Sequence, residues 1–126
     1  MSKTVVVPIS AHKHLEIAEN FERQFVEMLN PMNSDHWTIV VMFYSAVHYL
    51  RYYLIVHKQI EISSHEDVRA FFRRDSSLGR TDVAYNTLQQ YSQNARYYGY
   101  KYSPMQVQQA HQKLFDAIKA ATYRRR

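Results

Sequence analysis

Apolar residues recur every three to four positions along most of this chain, the period of α-helices that bury one face. From about His12 to Leu29 the stripe is Leu15, Ala18, Phe21, Phe25 and Met28/Leu29, and Glu16, Glu19, Glu22 and Glu27 occupy the remaining surface. Asn30-Pro31 ends this helix, because a residue before proline avoids the α region. Asn33, Ser34 or Asp35 then caps a second helix that continues to about Lys58. Between Trp37 and Val56 sixteen of twenty residues are apolar or aromatic, which predicts a helix surrounded by others rather than one lying on a surface.

After a short connector at 60–63, Ser64 and Asp67 have capping-box-like spacing and open a third, short helix ending near Arg74. A polar loop over 75–80 contains Gly79. Thr81 or Asp82 caps the fourth helix, which carries Val83/Ala84, Leu88, Tyr91, Ala95 and Tyr98 inward and stops at Gly99. Ser103-Pro104 supplies an N-cap and a proline at the first helical position. The fifth helix reaches about Thr122, with Val107, Ala110/His111, Leu114, Ala117/Ile118 and Ala121 on one side. Short connections favour antiparallel neighbours. The expected fold is therefore all-α: one domain over residues 1–126, an antiparallel bundle of about five helices, with an extended segment at 1–11 and a basic tail at 124–126.

Composition narrows the chemistry. Two glycines and three prolines leave little material for hairpins, P-loops or dinucleotide fingerprints. The lack of cysteine excludes disulfides, thiolate metal sites and cysteine nucleophiles, and it fits a reducing, cytoplasmic setting. No signal-peptide pattern opens the chain. The second helix has the length of a membrane span, but Ser45, His48 and Arg51 lie at its middle, where an arginine costs at least about 2.5–3.5 kcal/mol. It reads as a core helix, with no membrane partner.

Charge is divided unevenly. Residues 1–67 hold five basic and eight acidic side chains, a net −3, whereas residues 68–126 hold eleven and three, a net +8. That asymmetry points to a polyanion on the second half, with Arg73, Arg74, Lys101 and the tail Arg124, Arg125 and Arg126 as phosphate contacts. The alternative is that these cations are only solvated.

No zincin spacing and no nucleophile turn occur, so neither a metal site nor another cofactor is expected. What remains is histidine and arginine at helical spacings. His65 and Arg69, four apart, share one face of the third helix, and Arg73 continues it. His48 follows Ser45 by three in the apolar helix, where a satisfied core histidine is the competing reading. Arg51 precedes His57 by six, which on a continuous helix leaves them about 120° apart. Arg51 pairing with a first-helix glutamate is the structural alternative. Arg96 stands among Tyr97, Tyr98, Tyr100 and Tyr102, which either pack between helices or stack on bases.

Several of these residues lie in a longer pattern: His14-Leu-Glu-Ile-Ala-Glu-Asn, Trp37, Phe43-Tyr-Ser-Ala-Val-His48, Ser64-His-Glu-Asp-Val-Arg69 and Ser92-Gln-Asn-Ala-Arg-Tyr97. Over about residues 12–120 this order and spacing resembles HEPN-domain proteins. The resemblance implies a four- or five-helix bundle that dimerises, and an RNA-directed function. Many such proteins are metal-independent endoribonucleases of toxin–antitoxin and antiviral defence systems. Others bind RNA, nucleotides or protein partners without chemistry. It implies a site at His65, Arg69 and Arg96. Arg51 and His57 match the family's arginine–histidine spacing, with Tyr52 where a small polar residue is usual. RNA, an antitoxin or other protein partner, and a second copy of the chain are the partners to be expected. A purely structural helical subunit, meeting its partner through tyrosines, is the third reading.

Overall fold

The computed structural model describes residues 10–29 and 36–123. Among these, the elements are α1 (Ala11–Met28), α2 (His36–Lys58), α3 (His65–Arg74), α4 (Thr81–Tyr98), α5 (Pro104–Gln109), a π-helical turn (Ala110–Phe115) and α6 (Asp116–Thr122), with no strand. The last three form one rod, so the architecture is an all-α bundle of five helical segments. The expected caps at Asn33, Ser34 or Asp35, the stop at Asn30-Pro31, the segment 1–9 and the tail Arg124–Arg126 lie outside the described residues.

α2 is the axis. It packs against α1, α4, α6 and the π turn, and Ile39, Met42, Ala46, Leu50 and Leu54 are sealed from solvent. Among the described residues it is the one helix long and apolar enough to cross a membrane. Just over half of its most apolar stretch is buried inside the protein. α1 runs antiparallel to it: His14 meets His48, Ala18 meets Ser45, and Phe21 meets Tyr44. At the small residue Ala18 the helices come close enough for the Ser45 hydroxyl to donate to the Ala18 carbonyl at 2.7 Å, which satisfies a fully buried polar group.

Local signals set most helix ends. Ser10 and Ser64 cap α1 and α3 by accepting the amides of Lys13 and Asp67. Gly99 ends α4 with φ 62°, and the Tyr100 amide donates back to the Asn94 carbonyl, a Schellman closure. α2 ends in the same way on a costlier residue. Gln59 takes φ 53° while the Ile60 amide reaches the Leu54 carbonyl. Ser103 forms a full capping box with Gln106, and Pro104 follows at the first position. Ser103→Ala is expected to cost about 1 kcal/mol of stability, measured by urea unfolding; an unchanged midpoint would refute the role given to the cap.

Three expectations are corrected. Neither Thr81 nor Asp82 caps α4: Arg80 occupies the N-cap position without a side-chain bond, and the Thr81 hydroxyl turns back to the Leu78 carbonyl at 2.6 Å. Tyr98 does not point inward but is 79% exposed, because the last turn of α4 runs past the end of the core. The fifth helix is not uniform. Its buried positions are Val107, Ala110, Phe115, Ile118 and Thr122, and the five-residue step from Ala110 to Phe115 is the π turn. Phe115, rather than Leu114, is therefore the fully buried residue there, packed edge-on against Phe25 at 4.8 Å.

Candidate functional site

The antiparallel α1–α2 seam brings two imidazoles together. His14 Nδ1 and His48 Nδ1 are 2.9 Å apart and the rings stack at 5.1 Å. One nitrogen must donate and the other accept, so the pair shares a proton and resists carrying two charges. His14 is almost wholly buried. Burial, then Arg51, lowers its pKa against the pull of Glu61. The Glu61 carboxylate is 3.8 Å from Nε2, too long for a hydrogen bond, so it acts through charge and leaves that buried nitrogen without a partner. Burial, then His14 and Arg51, pushes His48 down to about 4.

Arg51 lies three residues beyond His48 on α2, half-buried. Its Nε is buried with no hydrogen-bond partner, and no ion pair among the described residues involves it. The expected alternative, pairing with a glutamate of the first helix, is therefore not what the structure shows. Taking a guanidinium nitrogen out of water without giving it a partner is costly. Arg51 is also the common neighbour of the site, because it acts electrostatically on His14, His48, His65 and Tyr85.

His65 opens α3, held there by the Ser64 cap. Its Nδ1 is 2.8 Å from the Tyr85 hydroxyl and its ring packs against Phe43. Burial, then Arg51, Arg69 and Arg96, lowers its pKa, and the positive end of the α3 dipole acts in the same sense. Burial keeps the Tyr85 phenol protonated despite Arg51 and Arg69. The shared proton sets the role of the other ring nitrogen. With Nδ1–H donating to Tyr85, Nε2 offers a lone pair, as a general base requires; with Tyr85 donating, Nε2 carries a proton for a phosphate oxygen.

Arg69 and Arg96 complete the cluster from α3 and α4, both at the surface. Arg96 donates to the Tyr44 hydroxyl and lies over the rings of Tyr44 and Tyr97, at 5.7 and 5.0 Å. Arg51, Arg69 and Arg96, from α2, α3 and α4, thus all act electrostatically on His65. His57 does not join them: it is exposed on the last turn of α2, its ring tilted against Tyr53 at 4.8 Å, and the unbroken helix holds it on another side from Arg51. Arg73 and Arg74 are exposed at the C-terminal end of α3, where the helix dipole favours cations. Lys101 is exposed beyond α4, and Arg124–Arg126 lie outside the described residues.

Spacing along the chain does not mark Tyr85 or Glu61, and it places His14 and Tyr44 in the longer pattern without giving either a role at the site. A signal existed for His14, since 14, 18, 21 and 25 continue the α1 stripe one turn toward its start. No three of His, Asp and Glu among the described residues group closely enough to hold a metal ion. A cavity of about 390 Å³ lies elsewhere, lined by Glu19, Glu22, Arg23, Val26, Tyr49, Lys119 and Tyr123, and it shares no residue with the cluster. There Glu22 is already occupied by the Tyr49 hydroxyl and by Lys119 at 2.8 Å.

Three imidazoles held below their ordinary pKa make the fold acid-sensitive. The unfolded chain takes up protons near pH 6.5, while folded His14, His48 and His65 do so only at lower pH. Stability is therefore full above about pH 6.5 and falls as pH drops toward 4, by at most about 1.4 kcal/mol per pH unit per proton. Partial solvent access at His48 and His65 reduces that slope. Urea midpoints at pH 7.5, 6 and 5 should decline in that order; a flat or rising series would contradict the assignment. No family model, curated protein or solved structure matches the chain.

Proposed function

We propose that this chain is an RNA-directed, HEPN-like protein that cleaves RNA without a metal, with His65 as the acid–base group and Arg51, Arg69 and Arg96 as the phosphate clamp. The observation that carries this reading is an Arg51 whose buried Nε has no hydrogen-bond partner, together with a half-buried histidine on which Arg51, Arg69 and Arg96 all act electrostatically. Such a site is over-supplied with positive charge and suits an anion. In the reaction, Nε2 of His65 takes the ribose 2′-hydroxyl proton. The 2′ oxygen then bonds to the adjacent phosphorus, the bond from phosphorus to the 5′ oxygen breaks, and that oxygen takes a proton from solvent. The products are a 2′,3′-cyclic phosphate and a 5′-hydroxyl. The guanidinium forks oppose the charge that builds on the phosphate.

The resemblance to HEPN proteins adds the setting, a toxin–antitoxin or antiviral defence system in the cytoplasm. It also adds a homodimer in which a second copy would double the clamp. The test is purified protein with single-stranded RNA in excess chelator, with the product ends analysed. Cyclic-phosphate ends support the reading; intact RNA removes it. A second reading, a non-catalytic RNA- or nucleotide-binding or assembly module, is favoured by one feature: burial, and after it the neighbouring positive charges, hold the three imidazoles below their ordinary pKa, so at neutral pH no imidazolium stands ready as a general acid. Salt-sensitive RNA binding without cleavage would support it.

A further inference from the structure

We propose that Tyr97, Tyr98 and Tyr100 form a stacking platform for the unpaired bases of a single-stranded RNA whose phosphate sits at the neighbouring arginines. This rests on the RNA-directed reading above and names the form of RNA the site takes. The chain buries Tyr49, Tyr85 and Tyr102 at 5% exposure or less, yet leaves Tyr97, Tyr98 and Tyr100 at 67, 79 and 50%. Three large rings left exposed within four residues, Tyr97 beside Arg96 and Tyr100 packed on Tyr102 at 4.7 Å, are a marker of a binding surface. Gly99, in the left-handed conformation, turns the chain between Tyr98 and Tyr100, and the Tyr100 amide bond to Asn94 fixes that turn. The platform is therefore built on closed backbone rather than on a loose end.

Charge selects the occupant. From Val83 to Phe115 the chain carries no carboxylate, while Arg96 and Lys101 flank the tyrosines. A protein partner would need only the apolar area, whereas rings interleaved with cations match what a single strand offers: π faces and phosphates together. A duplex hides those faces in its own stack. Arg96 joins the two regions, because its guanidinium lies over Tyr97 and also acts on His65.

Binding of the full chain to three labelled probes of about twelve nucleotides tests this: a single-stranded RNA, its duplex, and an abasic ribose-phosphate oligomer. Wild-type protein should bind the single strand roughly tenfold or more above the other two. The Tyr97→Ala/Tyr98→Ala double variant should lose about tenfold or more on the single strand and nothing on the abasic oligomer. Tyr98→Phe should retain binding. Both rings are exposed, so the double variant's melting curve should match wild type. Unchanged affinity in the double variant, equal binding of duplex and single strand, or self-association of a chain that binds no RNA would each overturn the platform. Base-dependent binding without cleavage keeps the platform and removes the nuclease. Cleavage with unchanged affinity in the double variant does the reverse.

Discussion

His65→Gln is expected to lower RNA cleavage in excess chelator by about 10²–10⁴-fold, the range that a positioned proton-transfer group contributes. Glutamine is the informative replacement because its amide can still meet the Tyr85 hydroxyl, 2.8 Å from the native imidazole nitrogen, so the buried phenol keeps a partner. The fold should survive: His65 is only half-buried and α3 keeps its Ser64 cap. RNA affinity should change far less than rate, because the phosphate is held by guanidinium groups. The pH profile carries a second readout. Burial, then the three arginines, depresses the His65 pKa, and a bound phosphodiester cancels part of the arginines' charge. The His65 titration, followed by its ring proton resonance, should move upward when a non-cleavable 2′-deoxy oligonucleotide is added. Wild-type cleavage by His65→Gln, or a downward movement on binding, would sink the role assigned to this residue.

The helices were legible because each signal was local. Period, serine caps, the Ser103-Pro104 pair and Gly99 act within one turn, and α1, α3 and α4 begin or end close to where those residues place them. The same locality explains what failed. Thr81 has the composition of a cap, but a nearby carbonyl at Leu78 claims its hydroxyl. The π turn adds a residue to one turn so that Phe115 can meet Phe25, a demand that arises only between helices. The site divides along the same line. His65 and Arg69 share a face by arithmetic, whereas the junction of His14 with His48, and of Tyr85 with His65, exists only once helices far apart in sequence pack. Arg51 could be seen as an arginine in an apolar helix. That it would lack a carboxylate and become the hub for three imidazoles depended on which residues α1 and the connector present to it.

That position of Arg51 leads to an expectation of opposite signs for stability and function. Arg51→Met keeps the length and apolar stem of the side chain while removing a guanidinium whose Nε is buried without a partner. It also removes a charge that depresses His14, His48 and His65. Relieving one unsatisfied buried group is worth about 1–3 kcal/mol, so the variant should unfold at higher urea than wild type. Part of the acid sensitivity should fade with it, because the histidine pKa values return toward 6.5 and the gap between folded and unfolded chains narrows. Function should move the other way. Loss of a donor aimed at developing phosphate charge costs about 10²–10³-fold in rate, and the salt slope of RNA binding should fall by about one phosphate contact. Stabilising substitutions that remove activity are what a site held against the fold's own preference predicts. An Arg51→Met protein that is less stable than wild type would make Arg51 a structural residue with partners, and the phosphate clamp would lose its centre.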